Sequence, residues 1–314
     1  MHTITSKRHK LRFYLTIILG SIFFLVLGAG LFYGYLKDSK NGTLKEKDKL
    51  IPILSVGIYV VAFYTVYRYY KNVPEIKVDK QSISFNNKTF NWNDLQNIKM
   101  NGKRPFAFII DFPMEATTLH FNDESLMYIF DDMYENSWEL KSFLKQVIID
   151  RKEFAEYEIQ EVTGPEAKTE PYEVYKGNQI VSLRGISFWS IIILTAYSVV
   201  FPIKTPTLGI FVFYVFFSSF WFLVHGWLMH YFKVSQSFFV IKNHILFWKT
   251  KTFRLSDIKE IVFETQGKMP NCLRVITKDF RSKVYPAGTL RNRRWLELKT
   301  SLRRYKIKVR NECI

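Results

Sequence analysis

Six histidines and two cysteines are the residues of this 314-residue chain best suited to metal or nucleophilic chemistry, and their spacing gives them little to do. Only His225 and His230 lie near each other, and an i, i+5 pair does not share a helical face well. Cys272 and Cys313 are too few for a disulfide framework or a thiolate metal cluster. No His-Glu-x-x-His, Gly-x-Ser-x-Gly, phosphate-binding glycine loop or paired-cysteine motif is present. Asp131-Asp132 follows the apolar run Leu126–Phe130 and reads as an ordinary solvated acidic pair. The expectation is a protein that is not an enzyme, with no catalytic residues, no cofactor and no metal site. The chemistry that remains is charge. Arg291, Arg293, Arg294, Arg303 and Arg304 crowd the last thirty residues, joined by Lys306, Lys308 and Arg310, in a chain with 45 Lys and Arg against 28 Asp and Glu. A net charge of +17 favours an anionic partner.

The elements that must position those arginines begin with four stretches free of Asp, Glu, Lys and Arg. They are Phe13–Leu36, Leu50–Tyr67, Ile186–Ile203 and Thr205–Phe232, of 24, 18, 18 and 28 residues. Eighteen residues at about 1.5 Å each make a helix of roughly 27 Å, enough to cross the hydrocarbon core. Basic residues bound every stretch, so four transmembrane helices in two hairpins are expected, although the mean hydropathy of −0.05 is that of a soluble protein. A cleaved signal peptide is disfavoured, because 24 residues exceed a signal core and no Ala-x-Ala site follows. The turn Lys204-Thr205-Pro206 has one charge while the flank beyond Lys233 is densely basic, which places both termini and both polar regions in the cytoplasm of a cell with this chain in its inner membrane. Spans without ionisable groups argue against proton relays and ion-coupled transport.

Each hairpin leads into a polar region, and the two regions align. A shift of 163 lays Val78–Met100 over Ile241–Phe263 with five identities in 23 positions, among them Lys88/Lys251, Phe90/Phe253 and Asp94/Asp257. Apolar exchanges such as Ile83/Leu246 and Phe85/Trp248 add to the match, as does Gly102-Lys103-x-Pro105 facing Gly267-Lys268-x-Pro270. Ser82–Phe85 and Thr89–Trp92 alternate polar and apolar about Asn86-Asn87-Lys88, a hairpin signature. Phe106–Phe112 and Thr117–Phe121 read as further strands, and Ser137–Ile149 as a helix. In the second copy Ile245–Trp248, Thr252–Leu255, Ile258–Glu264, Leu273–Thr277 and Ser282–Tyr285 read as strands before a closing helix over Leu290–Tyr305. The fold class is therefore an α+β membrane protein, a duplicated unit of two spans and a small antiparallel β domain closed by a helix.

The expected divisions are a basic tail (1–12), a first hairpin (13–67), a first domain (68–150), an acidic linker (151–185), a second hairpin (186–232) and a basic second domain (233–314). The linker includes Glu153–Glu173, with seven Glu and two Pro in 21 residues. Two spans leading into a hairpin and then Trp92-Asn93-Asp94-Leu95 resemble the membrane-anchored bacterial PH-like domain proteins, in which a Trp-x-Asp-Ile/Leu stretch opens the third strand. The Asp side chain can accept backbone N–H bonds in such a turn. The second copy departs from the pattern, with Leu255-Ser256-Asp257-Ile258 lacking the Trp. The resemblance implies a PH-like fold and a bacterial membrane, and no particular ligand.

Residues 68–184 hold 15 basic and 19 acidic residues, whereas 233–314 hold 20 basic and six acidic. The expected function is a binding or scaffolding protein whose second domain, through Arg291, Arg293, Arg294, Arg303 and Arg304, contacts anionic phospholipid or an acidic protein. The alternative is a regulatory or immunity-type membrane protein that binds a specific envelope protein. Nucleic acid is disfavoured, since no aromatic-interleaved or helix-turn-helix motif accompanies the charge. Oligomerisation is left open.

Overall fold

The computed structural model describes residues 3–107, 111–160, 162, 170–201, 208–267 and 270–313. The turn Lys204-Thr205-Pro206, the end of the third apolar stretch, Lys268 and the middle of the expected strand Phe106–Phe112 lie outside them. The chain divides into two compact units, residues 1–156 and 157–314. The structure is mixed α+β with several antiparallel sheets. Among the described residues three helical stretches are long and apolar enough to cross a membrane: Lys10–Lys40, Glu46–Asn72 and Leu208–Trp227.

The first unit opens on strand β1 (Ile4–Thr5), then helices α1 (Thr16–Lys40) and α2 (Ile51–Asn72). The two helices pack closely at Gly28. The Ser55 hydroxyl donates to the Gly28 carbonyl at 2.7 Å, and a Cβ there would sit 2.6 Å from the Tyr59 ring. Small residues that let backbones approach, with a hydroxyl satisfied across the seam, are the usual means of joining helices in lipid. Strands β2 (Ile76–Val78), β3 (Ser82–Phe85) and β4 (Lys88–Asn91) follow, and the sheet order is β1-β2-β3-β4. The expected hairpin is present. Asn86 takes the positive φ (51°) that a tight two-residue turn needs and that Asn tolerates.

A second sheet contains β5 (Leu95–Lys99), β6 (Lys103–Phe106), β7 (Phe112–Phe121) and β8 (Leu126–Phe130), with β7 pairing all three others. Helix α3 (Ser137–Phe143) continues as a wider turn to Ile149 and buries Leu140, Phe143 and Leu144.

The second unit opens on β9 (Glu173–Tyr175), followed by α4 (Leu183–Val200) and α5 (Leu208–Trp227). Then come β10 (His230–Val234), β11 (Phe238–Asn243) and β12 (Thr250–Arg254), in the order β12-β11-β10-β9. The other sheet holds β13 (Ile258–Glu264), β14 (Cys272–Thr277) and β15 (Ser282–Pro286). Helix α6 (Asn292–Arg304) closes the core, and β16 (Val309–Asn311) adds to β13 in parallel.

In both units the segment before the helix pair is a strand of the sheet that the chain re-enters after it: Ile4 pairs Val78, and Tyr175 pairs Phe232. Residues 3–12 thus belong to the first unit's fold. Ile4 and Phe13 are core residues of the first unit, Arg8 Nε donates to the Val73 carbonyl at 2.9 Å, and Arg12 pairs with Asp132.

Three expectations need correction. Ile245–Trp248 is a loop, not a strand. Asp131 and Asp132 are buried, not solvated, and the Lys141 ammonium meets both Asp131 oxygens at 2.8 and 2.9 Å. The fourth apolar run is helical only to Trp227; His230–Phe232 begin a strand with His230, Phe232 and Val234 buried, and they extend the run only because no charged residue precedes Lys233.

Trp295 is the keystone of the second core. It is fully buried, edge-on to Phe263 at 4.9 Å and 5.6 Å from Phe232, so it ties α6 to both sheets. Trp295→Ala should destabilise that unit by about 3–5 kcal/mol. Hydrogen exchange of the full chain should show β10–β15 losing protection while β2–β8 keep theirs.

Candidate anionic-surface site

The basic face is built on α6, whose buried side is Trp295, Leu298, Ser301 and Leu302. At about 100° per residue that stripe leaves Arg293 near the middle of the opposite face with Arg303 and Arg304 to either side of it, whereas Arg294 lies in line with the stripe, one turn before Leu298 at the exposed first turn of the helix. All four are exposed, as is Arg291 at the helix N-cap.

The carboxylates near these arginines are few. Glu297 accepts from Arg293 Nε at 3.1 Å and Arg294 Nη1 at 2.7 Å, one turn along the helix. Glu173 of β9 accepts from Arg304 Nη1 at 2.7 Å and from the Ser301 hydroxyl at 2.9 Å. Hydrogen bonds from Tyr175 and Ser301, with Arg304 beside it, hold the Glu173 carboxyl below the usual carboxylate range. Among the described residues no carboxylate pairs with Arg291 or Arg303. The five arginines expected from sequence therefore share one helix, yet three of them already have partners within the unit.

Those pairs are weak. Arg304 and Glu173 keep 60% and 41% of their side-chain exposure, and exposed pairs contribute about 0–1 kcal/mol each. By contrast, Arg274–Glu264 and Lys141–Asp131 are buried to 1% or less on both partners and belong to the cores. Removing one member of such a pair costs about 3–5 kcal/mol, whereas giving up an exposed pair costs almost nothing.

The acidic segment is only in part a free tether. Glu158 pairs with Arg281 at 2.7 Å, Glu170 accepts the Ser237 amide at 3.1 Å, and β9 is the edge strand of a sheet. A cleft of about 250 Å³ lies between Ile159-Gln160 and a wall carrying Lys251, Arg254, Arg281 and Lys283, with Asp257 and Asp279 also on it. Nothing in the residue pattern signals this cleft, because its cations come from β12, β15 and the connection before β15. Counting by structural unit changes the charge contrast too. Residues 1–156 hold 21 basic and 17 acidic residues, and 157–314 hold 24 and 11. Both units are basic, the second at +13 against +4.

The turn before the third strand of each unit is tied by main chain. The carbonyl of Asp94 accepts the Asn122 amide and that of Asp257 accepts the Lys278 amide, both at 2.8 Å. Trp92 instead anchors through its ring N–H to the Asp79 carbonyl at 2.9 Å. Among the described residues no group of three or more His, Cys, Asp or Glu is placed to hold a metal ion. No family model matches the chain, and no curated protein matches it.

His230 and His244 lie just beyond α5 and are held neutral. Burial, with Lys249 and Lys283 nearby, lowers His230 to about 4, against an opposing bond to the Pro286 carbonyl. Burial and Lys176 lower His244 to about 4. A histidine whose pKa is lower folded than unfolded takes up its proton preferentially when unfolded. The second unit should therefore be most stable above pH 6.5 and lose stability as pH falls from there towards 4. Exchange protection of β10–β15, corrected for intrinsic rates, should drop between pH 7 and 5. It should drop less in a His230→Asn/His244→Asn variant.

Proposed function

We propose that this chain is a non-enzymatic integral membrane protein, a duplication of one unit made of a two-span hairpin and a PH-like domain. In this reading it acts as a binding or scaffolding module through the basic second domain. The recurrence of strand, helix pair, three-strand meander, second sheet and closing helix in both units supports the duplication. Pairing of the strands before and after each helix pair supports an even number of crossings, with each hairpin returning to the side it left. A cytoplasmic position for both domains in a bacterial inner membrane rests on the basic flanks alone.

The observation that carries the binding role is the exposed arginine cluster of α6, where three of five arginines meet two carboxylates in weak pairs. Each basic residue near an anionic leaflet gains about 1 kcal/mol, comparable to or above what an exposed pair holds back. Exchange of Glu297 and Glu173 for phospholipid headgroups is therefore favourable once several arginines engage together.

Thr300 lies on that face and is exposed, so a Thr300→Cys probe reads it directly. In proteoliposomes, replacing half of the phosphatidylcholine with phosphatidylglycerol should slow its labelling by a polar maleimide several-fold, and salt should restore the rate. Changing the five arginines to Gln should abolish the lipid dependence. Labelling that ignores lipid charge in the parent protein overturns the role and leaves an acidic or envelope protein as the partner. In intact cells a Ser256→Cys probe, also exposed, should be labelled by an impermeant maleimide only after permeabilisation.

A further inference from the structure

The two units diverge most sharply at one turn. In the first, β3 and β4 are joined by Asn86-Asn87, and the ladder pairs Phe85 with Lys88. In the second, β11 pairs Ile241 with Lys251, and nine residues stand beyond that pair where the first unit has two, the first and last of the nine (Lys242 and Thr250) still in the ladder. The seven additional residues explain why a gapless alignment sets Ile83 on Leu246 and Phe85 on Trp248, which are not equivalent in the ladders. They also bring an apolar tip, Ile245-Leu246-Phe247-Trp248.

Leu246 is 2% exposed and holds the loop down, while Phe247 and Trp248 stand out at 75% and 61%, their rings edge to face at 5.0 Å. Exposed aromatic pairs are costly in water and mark an interaction surface. The loop's position identifies what it meets. Asn243 Nδ2 donates to the Gly226 carbonyl at 2.8 Å, while Asn243 Oδ1 accepts the amides of Ile245 and Leu246 at 2.9 and 2.8 Å. The His244 amide donates to the Met229 carbonyl at 2.9 Å. Ile245 packs so closely on Gly226 that a Cβ there would lie 3.2 Å from it. Gly226 and Trp227 form the last turn of α5, a helix long and apolar enough to cross a membrane. The aromatic tip is thus pinned to the point where that helix ends, beside the exposed Trp227 and Lys249. Aromatic rings with neighbouring lysines are the composition of the membrane–water interface.

We propose that Phe247 and Trp248 form a wedge that enters the interfacial layer of the bilayer beside α5. The wedge orients the second domain against the membrane on which it is mounted. Its occupant is lipid, and the first unit, with Asn86-Asn87 at the same turn, has no counterpart. This inference rests on the membrane reading of α5, and the test separates the two.

In a Cys272→Ala/Cys313→Ala background of the full chain, single spin labels would be placed at Trp248, at Asn87 and at Phe216 in the middle of α5. The chain would be reconstituted in phosphatidylcholine–phosphatidylglycerol vesicles. Collision with oxygen and with a polar nickel chelate then gives the depth of each label. The wedge requires the label at 248 to lie about 5–10 Å below the headgroup boundary, with 87 in water and 216 near the bilayer centre. A label at 248 in water, with 216 buried in lipid, overturns the wedge and leaves the membrane reading standing. Water at both overturns the membrane reading as well. Because a label replaces the indole, a Phe247→Cys label in a chain that keeps Trp248 repeats the measurement and must give the same depth.

Discussion

A short strand laid down before each helix pair is locked to the strand that follows it, and much of the structure hangs on that closure. In the first unit Thr5 and Lys77 are partners across a loop of about seventy residues, whose closure costs several kcal/mol of chain entropy. A two-residue strand returns only a few hydrogen bonds, each worth about 1 kcal/mol. The deficit is met by what surrounds it. Ser6 both donates to Ile76 and accepts from it, Lys7 and His9 exchange main-chain bonds with Glu135 and Met133, and Ile4 and Phe13 are buried in the core. The second unit makes the same closure with β9, secured by Tyr175 in the core and by Glu173 against Ser301 and Arg304.

That closure also explains why the arginine face has the partners it has. Glu173 reaches Arg304 because β9 must lie at the sheet edge beside α6, so a strand needed for folding also supplies a counter-ion to the basic helix. The pairing is local and exposed, hence weak. The arginines are held in order without being neutralised for good.

Much of this was legible in the residues themselves. Long uncharged stretches marked all four long helices, and alternation about Asn86-Asn87 marked the first hairpin. The stripe Trp295, Leu298, Leu302 marked α6. What escaped had physical reasons. Strands of two or three residues such as Ile4–Thr5 and Val309–Asn311 are too short to show a period. Apolar residues past Trp227 continue a helix-like run because β10 begins without a charged residue, and its alternation of buried His230, Phe232 and Val234 with half-buried Tyr231 and Lys233 is too short to break the run. Asp131 looked solvated because its partner, Lys141, lies ten residues on and is brought to it by α3. The arginines were visible as a cluster, but the acidic segment that answers some of them looked like a tether. Carboxylates in a Pro-containing stretch give no sign of what they will touch.

The loop Ile245–Trp248 misled for a more instructive reason. Its four apolar residues fit a strand by composition, and aligned with Ile83 and Phe85 they fit it by register as well. Only the ladders show that Phe85 answers to Ile241 and that the loop is extra. A strand register is fixed by which residues bury, and Phe239 and Ile241 already fill the core from β11. Leu246 still buries, but Phe247 and Trp248 had no core left to enter. They had to be covered by something outside the fold or carry the cost of facing water. In a loop bonded to the end of an apolar helix, the nearest cover is the medium that the helix itself requires.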